Sequence, residues 1–106
     1  MNPKFWGMLS LAMRAGKLTM GEDKVLKSIQ SGKVKLLLLS NDAGTNTEKR
    51  FLDKSIYYQI PLLRPADRTH IGSAIGKKNA VVLAVTDEGF AKQLQVLAEN
   101  NPNPGE

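Results

Sequence analysis

Residues 21–40 read GEDKVLKSIQSGKVKLLLLS, an amphipathic segment followed by a nearly uninterrupted aliphatic run. The aliphatic part, residues 34–39, lacks the alternation of a strand with one solvent-facing side, and the turn-forming residues Gly32 and Asn41 bound it. Such a run is typical of a strand that is buried on both faces of its sheet. The segment therefore predicts a central strand covered by helices on both sides.

The amphipathic part predicts a helix over residues 22–31. Its apolar face carries Val25, Leu26 and Ile29. Its polar face carries Lys24, Lys27 and Ser31. Acidic residues are preferred in the first turn, where free backbone N–H groups carry partial positive charge, and Glu22 and Asp23 fit this preference. Lys24 adds to the positive charge instead. This helix start therefore presents either a solvated lysine face or a site for an anion.

The composition indicates one folded domain. The chain has 106 residues, of which 42% are hydrophobic, enough for a two- or three-layer core. Cysteine is absent, which excludes disulfides and thiolate chemistry and fits a reducing compartment. The first residues do not resemble a signal peptide, and no apolar run reaches the roughly 20 residues of a membrane span. We therefore expect a cytoplasmic protein without membrane association.

The net charge of +5 is concentrated near the N-terminus. Residues 1–35 contain seven lysines and arginines, against Glu22 and Asp23 as the only acids, so this third supplies the whole excess. We interpret the basic charge as concentrated around the predicted helix start. A polyanionic partner, most simply nucleic acid, is the expected consequence.

Periodicity and turn signals predict an alternation of helices and strands. The helices cover residues 5–15, 22–31 and 45–58, a short segment between Asp67 and Gly76, and a segment after Thr86-Asp87; the strands cover residues 17–20, 34–40, 60–63 and 80–85. Pro61 near the start of the third strand favours a sheet edge or the beginning of a strand. The expected fold is α/β, a three-layer α/β/α sandwich with a mixed sheet of about four strands. Residues 1–99 would form this single domain and residues 100–106 a disordered tail.

Two local features of the third helix are also predicted. Thr45 and Glu48 have the spacing of a capping box, with Thr45 as the residue that caps the helix. The buried side of this helix is predicted to be formed by Phe51, Leu52 and Ile56.

The sequence offers no catalytic or metal-binding constellation. Residues 72–77 resemble a phosphate-binding loop, but the glycines are one residue too close and the segment ends a helix instead of opening one. Asp67, His70 and Ser73 lie on one short helix and cannot easily converge as a triad. One histidine and no cysteine make a metal site improbable. We therefore predict a protein that is not an enzyme and has no cofactor.

Several motifs, in this order and spacing, resemble a known family. Gly21-Glu22-Asp23-Lys24-Val25-Leu26-Lys27 followed by Ser31-Gly32-Lys33-Val34-Lys35-Leu36 is similar to the G-x-N-E-V-x-K…G-x-A-K-L signature of the kink-turn-binding ribosomal protein superfamily that includes L7Ae and L30e. Further matches are the segments 40–43, 60–61, 71–76 and 85–87, so the resemblance covers roughly residues 15–95. Within the family, the chain is most similar to the small bacterial YlxQ-type members.

The resemblance implies binding of a sharply bent RNA helix–bulge–helix with tandem sheared G·A pairs. The helix start would read these guanines, and the loop before the 71–76 segment would receive bulged bases. Carried over by position, the RNA-binding residues are Gly21, Asp23, Lys24, Lys27, Asp42, Ala66, Asp67 and Arg68. Glu22, in the same helix start, is expected to belong to this site, and Lys17 is expected to add a phosphate contact.

Two residues depart from the family signature. Asp23 replaces its asparagine and can accept but not donate a hydrogen bond, and Lys24 replaces its glutamate and reverses the charge. The leading hypothesis is a monomeric, ribosome-associated RNA-binding protein. The alternative hypothesis is a protein–protein adaptor on the same fold that has lost kink-turn specificity.

Overall fold

The computed structural model describes residues 2–99 and contains five helices and four strands. In chain order these are α1 (Pro3–Arg14), β1 (Leu18–Met20), α2 (Glu22–Gln30), β2 (Leu36–Leu39), α3 (Thr45–Tyr57), β3 (Leu62–Leu63), α4 (Arg68–Ala74), β4 (Val82–Val85) and α5 (Glu88–Glu99). Every predicted element is present, with ends that differ by a few residues. The predicted disordered tail, residues 100–106, lies outside the described residues.

The four strands form one mixed sheet in the order β1-β4-β2-β3. β4 pairs antiparallel with both β1 and β2, and β3 pairs parallel with β2. β2 is therefore a central strand, and all four of its leucines are fully buried, as the aliphatic run predicts. β3 occupies an edge, in agreement with the prediction from Pro61.

Helices cover both faces of this sheet. On one face, Leu36 and Leu38 of β2 belong to a core formed with α1, α4 and α5. On the other face, Leu37 and Leu39 belong to a core formed with α2 and α3. Alternating side chains of one strand thus enter two different cores. The predicted three-layer α/β/α sandwich is confirmed.

Close packing fixes the position of α4. A Cβ atom on Gly72 would lie 2.5 to 2.8 Å from three backbone atoms of Asn79, in the segment that leads into β4. The Ala80 amide donates to the Arg68 carbonyl at 2.9 Å and joins the same two segments. Gly76 ends the helical segment with φ of 76°. Gly72 therefore permits the close packing of α4 against the segment before β4.

Two predictions about α3 are wrong. Thr45 does not cap this helix, because the N-cap is Gly44 and makes no side-chain hydrogen bond, while Glu48 binds an arginine from another loop. Ile56 is not buried, since 76% of its surface is exposed. The buried residues of α3 are Phe51 and Ser55, which are four positions apart on one face. Ile56 is five positions after Phe51, about 140° further round the helix, so it lies outside the buried face.

The strand directions gather three helix starts at one end of the sheet. β1, β2 and β3 are parallel to one another, since β1 and β2 are both antiparallel to β4 and β3 is parallel to β2. The chain leaves the carboxyl ends of these strands and enters α2, α3 and α4, respectively. We call this end of the sheet the helix-start edge, and the other end the opposite edge.

Candidate functional site

The start of α2 combines a strained backbone with free hydrogen-bond donors. Gly21 is the N-cap and adopts φ of 90° and ψ of 136°, a conformation that side-chain-bearing residues rarely adopt. Glycine has no side chain that could accept hydrogen bonds from the amides of the first turn, so this helix start has no side-chain cap. The acidic residues Glu22 and Asp23 lie within the first turn itself. No atom lies within 4 Å of a Cβ built on Gly21, so the space in front of this helix start is open. The N–H groups can therefore meet an approaching anion or base edge.

Lys24 and Lys27 extend this site along the exposed face of α2. They are three residues apart, so their side chains lie on the same side of the helix, and both residues are exposed. Neither forms an ion pair within residues 2–99. Their charges therefore remain available to a ligand of opposite sign.

Glu22 is held by the neighbouring helix. One of its carboxylate oxygens accepts a hydrogen bond from the Thr47 hydroxyl at 3.0 Å, and the other accepts one from the Arg50 guanidinium at 3.1 Å. This ion pair ties the start of α2 to the start of α3 and compensates the charge of Glu22. The two acids of the first turn therefore differ, because among residues 2–99 only Glu22 of this pair has a basic partner.

The loops after β2 and β3 are hydrogen-bonded to each other. The Asn41 amide donates to the Ala66 carbonyl at 2.9 Å. The Asp42 carboxylate accepts hydrogen bonds from the Arg68 backbone amide at 3.1 Å and from its Nε at 3.3 Å, and Nη2 of the same arginine donates to the Asp42 carbonyl at 2.6 Å. The predicted residues Asp42, Ala66 and Arg68 thus form one loop pair. The guanidinium donors of Arg68 that contact Asp42 therefore hold the two loops together and are used within the fold.

The electrostatics of the loop pair favour a charged Asp42. Desolvation raises the pKa of its carboxyl, but the neighbouring Ser40 hydroxyl and the amide and guanidinium of Arg68 lower it by more. The pKa of Asp42 therefore lies below its ordinary value of 3.8. The predicted residue Asp67 has a separate role, since its carboxylate caps α4 by accepting from the His70 amide at 2.8 Å.

Arg64 anchors the base of these loops and was missed by sequence reasoning. Its guanidinium donates to Glu48 at 2.5 Å and to the Ser40 carbonyl at 3.0 Å, which joins the loop after β3 to the loop after β2. Within residues 2–99, the buried Arg64 Nε has no hydrogen-bond partner. An arginine directly after a strand, with an acid in the first turn of α3, was the available signal.

Lys17 does not belong to this group. Its carbonyl accepts a hydrogen bond from the Thr86 amide at 3.0 Å, beside the carboxyl end of β4, which places Lys17 at the opposite edge. All other predicted site residues lie on α2 or on the two loops of the helix-start edge. The interpretation that basic charge is concentrated around the start of α2 is therefore wrong, because three further basic residues lie towards the opposite edge. Arg14 is the last residue of α1, and Lys33 and Lys35 lie between the end of α2 and the start of β2.

The helix-start edge also contains a groove of about 230 Å³. It is lined by Met20, Gly21, Glu22 and residues 79–82, so it lies between the start of α2 and the segment that enters β4. Among the residues that the structure describes, no group of three or more histidine, cysteine or acidic side chains is placed to hold a metal ion. No helix within the same residues is long and apolar enough to cross a membrane.

Comparisons with known proteins agree with this geometry. Residues 4–95 match the ribosomal protein L7Ae/L30e/S12e/Gadd45 family. The RNA-binding protein YlxQ of Bacillus subtilis (strain 168) is 45% identical over 86% of this chain and 91% of its own length. The large ribosomal subunit protein eL30 of Sulfolobus acidocaldarius is 31% identical over 93% of this chain and 97% of its own.

A solved structure supports the same assignment. A protein with unknown function from Bacillus halodurans C superposes with a TM-score of 0.89 at 43% identity, over 93% of this chain and 100% of that one. The family resemblance that the motifs indicate is thus confirmed by sequence and by fold. The chain belongs to the ribosomal protein L7Ae/L30e/S12e/Gadd45 family.

Proposed function

We propose that this protein is a non-catalytic, ribosome-associated RNA-binding protein that recognises a bent or kink-turn-like RNA. The observation that carries the proposal is the helix-start edge, where the uncapped start of α2 lies with the hydrogen-bonded loops after β2 and β3. The names of two relatives, RNA-binding protein YlxQ and ribosomal protein eL30, support the same function.

The chemistry of the edge suits both the backbone and the bases of RNA. Free amides at the start of α2 and the unpaired Lys24 and Lys27 provide donors for phosphate oxygens. Asp23 accepts hydrogen bonds from the guanine N1 and N2 groups, and Lys24 donates to guanine O6 or N7. In this proposal, lysine at position 24 in place of the family's glutamate changes which base edges are contacted, and the contacts with the phosphates are retained.

The loop pair supplies a preorganised second contact. Arg68 and Asp42 hold the two loops together before any ligand binds, so ordering them on binding costs little conformational entropy. Ala66 and Asp67 then face the bound RNA from a fixed backbone. We propose that these loops contact the bulged nucleotides and that the protein binds as a monomer.

The test is the Lys24→Glu/Lys27→Glu variant against a kink-turn hairpin. We expect loss of binding with unchanged thermal stability, because both side chains are exposed and without ion pairs. The matched control is Lys4→Glu/Lys92→Glu, which makes the same charge change at exposed positions of α1 and α5, on the other face of the sheet. This control should retain most of the affinity.

The salt dependence gives a second readout. If about four phosphates are neutralised, log K should fall with log salt at a slope of roughly −3 to −4. A flat salt dependence, or normal affinity in the Lys24→Glu/Lys27→Glu variant, would refute the proposed interface. Copurification of a protein partner after nuclease treatment, without RNA affinity, would instead favour the adaptor hypothesis.

A further inference from the structure

The opposite edge carries cations on adjacent strands. The Lys35 amide donates to the Val85 carbonyl at 2.8 Å, and the Lys17 carbonyl accepts from the Thr86 amide at 3.0 Å, so these two lysines flank the end of β4. The neighbours Leu18 and Leu36 belong to the core under α1 and α5. Because successive side chains alternate, Lys17 and Lys35 fall on the face that carries α2 and α3.

The end of α2 adds a third cation to this edge. The Lys33 amide donates to the Ser28 carbonyl at 3.0 Å and closes the helix, and Gly32 makes this turn with φ of 73°. Lys17, Lys33 and Lys35 are all exposed, and none forms an ion pair within residues 2–99. Their charges are not used by the fold.

Exposed aromatic side chains lie at the same edge. Tyr57 and Tyr58, at the end of α3, are 79% and 37% exposed, with ring centroids 4.9 Å apart in an edge-to-face arrangement. The chain then reaches Pro61, whose carbonyl accepts from the Leu37 amide at 2.9 Å, beside the start of β2. The tyrosines therefore lie at the end of α3, on the same face of the sheet as Lys35 and towards the edge where β2 begins.

Few acids oppose these cations. Asp87 lies beside the Lys17 strand end, but its carboxylate accepts from the Phe90 amide at 2.9 Å and caps α5. Glu88 follows it on α5, and Asp53 lies one turn before Tyr57 on α3. Tyr57 is far more exposed than core packing requires, and exposed aromatic side chains at the same edge as unpaired lysines have the composition of a surface for unpaired nucleotides.

We infer that Lys17, Lys33, Lys35, Tyr57 and Tyr58, here called the tyrosine–lysine surface, bind a single-stranded RNA segment that flanks the structured RNA. The inference rests on the proposed function for the position of its partner. The lysines contact phosphates along an edge that is about 14 Å wide across four strands, and the tyrosines stack on unpaired bases. The lysines also match the charge of an RNA backbone. α2 runs from the helix-start edge to the opposite edge and exposes Lys24 and Lys27 on the way, so it connects this surface with the first interface.

The experiment compares a kink-turn hairpin with the same hairpin extended at either end by an oligouridine tail of about eight nucleotides. The tail should tighten binding to the wild-type protein. Tyr57→Ala should weaken binding of the tailed hairpin by about 5- to 150-fold, the range for loss of one base stack, and leave the tailless hairpin unaffected. Tyr57→Phe keeps the ring and should retain the gain. Val96→Ala, at an exposed apolar position of α5, is the matched control.

The outcomes separate this inference from the first proposal. If the tail adds no affinity, or if Tyr57→Ala weakens both hairpins equally, the tyrosine–lysine surface is refuted while the first interface stands. If the tailless hairpin does not bind at all, the proposed function fails. In that case, free oligouridine still decides the second surface: Tyr57-dependent binding supports it, and its absence overturns it.

Discussion

Replacing Gly72 with alanine should destabilise the protein at the point where α4 meets the helix-start edge. The new methyl group would lie 2.5 Å from the Asn79 Cα, 2.7 Å from its N and 2.8 Å from its C. These distances are well below the roughly 3.5 to 4.0 Å of a favourable carbon contact. All three opposing atoms are backbone, so no side chain can rotate away. The Ala80–Arg68 hydrogen bond beside them resists separation of the two segments.

The cost follows from this geometry. Relief of the clash requires α4 and the segment before β4 to move apart by about 1 Å, and overpacking of this kind typically costs about 1–3 kcal/mol. For a domain of this size, the entropy of unfolding is roughly 0.2 kcal/mol/K, so the midpoint of thermal unfolding should fall by roughly 5–14 °C. Since Arg68 belongs to the same short helix, affinity for the kink-turn hairpin should fall as well.

Differential scanning calorimetry measures the stability change, with Gly7→Ala as the matched control. Gly7 is exposed within α1, and a Cβ built there meets nothing within 4 Å. Alanine in a helix interior is more stable than glycine by about 0.5–1 kcal/mol, so this control should raise the midpoint. The two identical substitutions should therefore have opposite signs. A Gly72→Ala protein as stable as the wild type would refute the argument from close approach.

Two further predictions concern the helix-start edge. Gly21→Ala should reduce the free energy of unfolding by about 1–3 kcal/mol, because alanine is strained at φ of 90° although space is open, and an unchanged denaturant midpoint would contradict this. Asp42 has a lowered pKa when folded, so its contribution is present above the unfolded pKa, near 3.8, and is lost as pH falls through the lower folded value. Asp42→Asn should therefore lose less stability than the wild type when urea unfolding is compared between pH 5 and pH 3, and identical pH profiles would refute the role of the Arg68 contact.

Much of the architecture was predictable because local patterns determine it. The aliphatic run of residues 34–39 specifies a strand that must be covered on both faces, because this depends only on the residues themselves. Pro61 restricted the third strand to a sheet edge or placed the proline at the strand's beginning. Asp67 could likewise be recognised as a helix cap from the local sequence. Its carboxylate accepts a hydrogen bond from the amide of His70, three residues further along the chain. The family motifs added the expected RNA-binding residues.

The predictions that failed concern contacts between distant segments. Leu52 and Ile56 share a helix face by their four-residue spacing, but only the tertiary structure shows that the buried face of α3 is centred on Phe51 and Ser55 and leaves Ile56 exposed. Glu48 has capping-box spacing, yet its partner is Arg64, sixteen residues away on another loop. A local pattern cannot rank a near partner against a distant one, because the distant one depends on how the strands pair.

The sequence by itself determined the alternation of helices and strands, the buried central strand and the glycine that opens α2. Only the tertiary structure decided where the charges lie. Strand order and direction bring Lys24, Asp42 and Arg68 to one edge and send Lys17, Lys33 and Lys35 to the other. The physical reason is that side-chain periodicity is set within a few residues of the chain, whereas the edge that each loop reaches is set by hydrogen bonds between strands far apart in sequence.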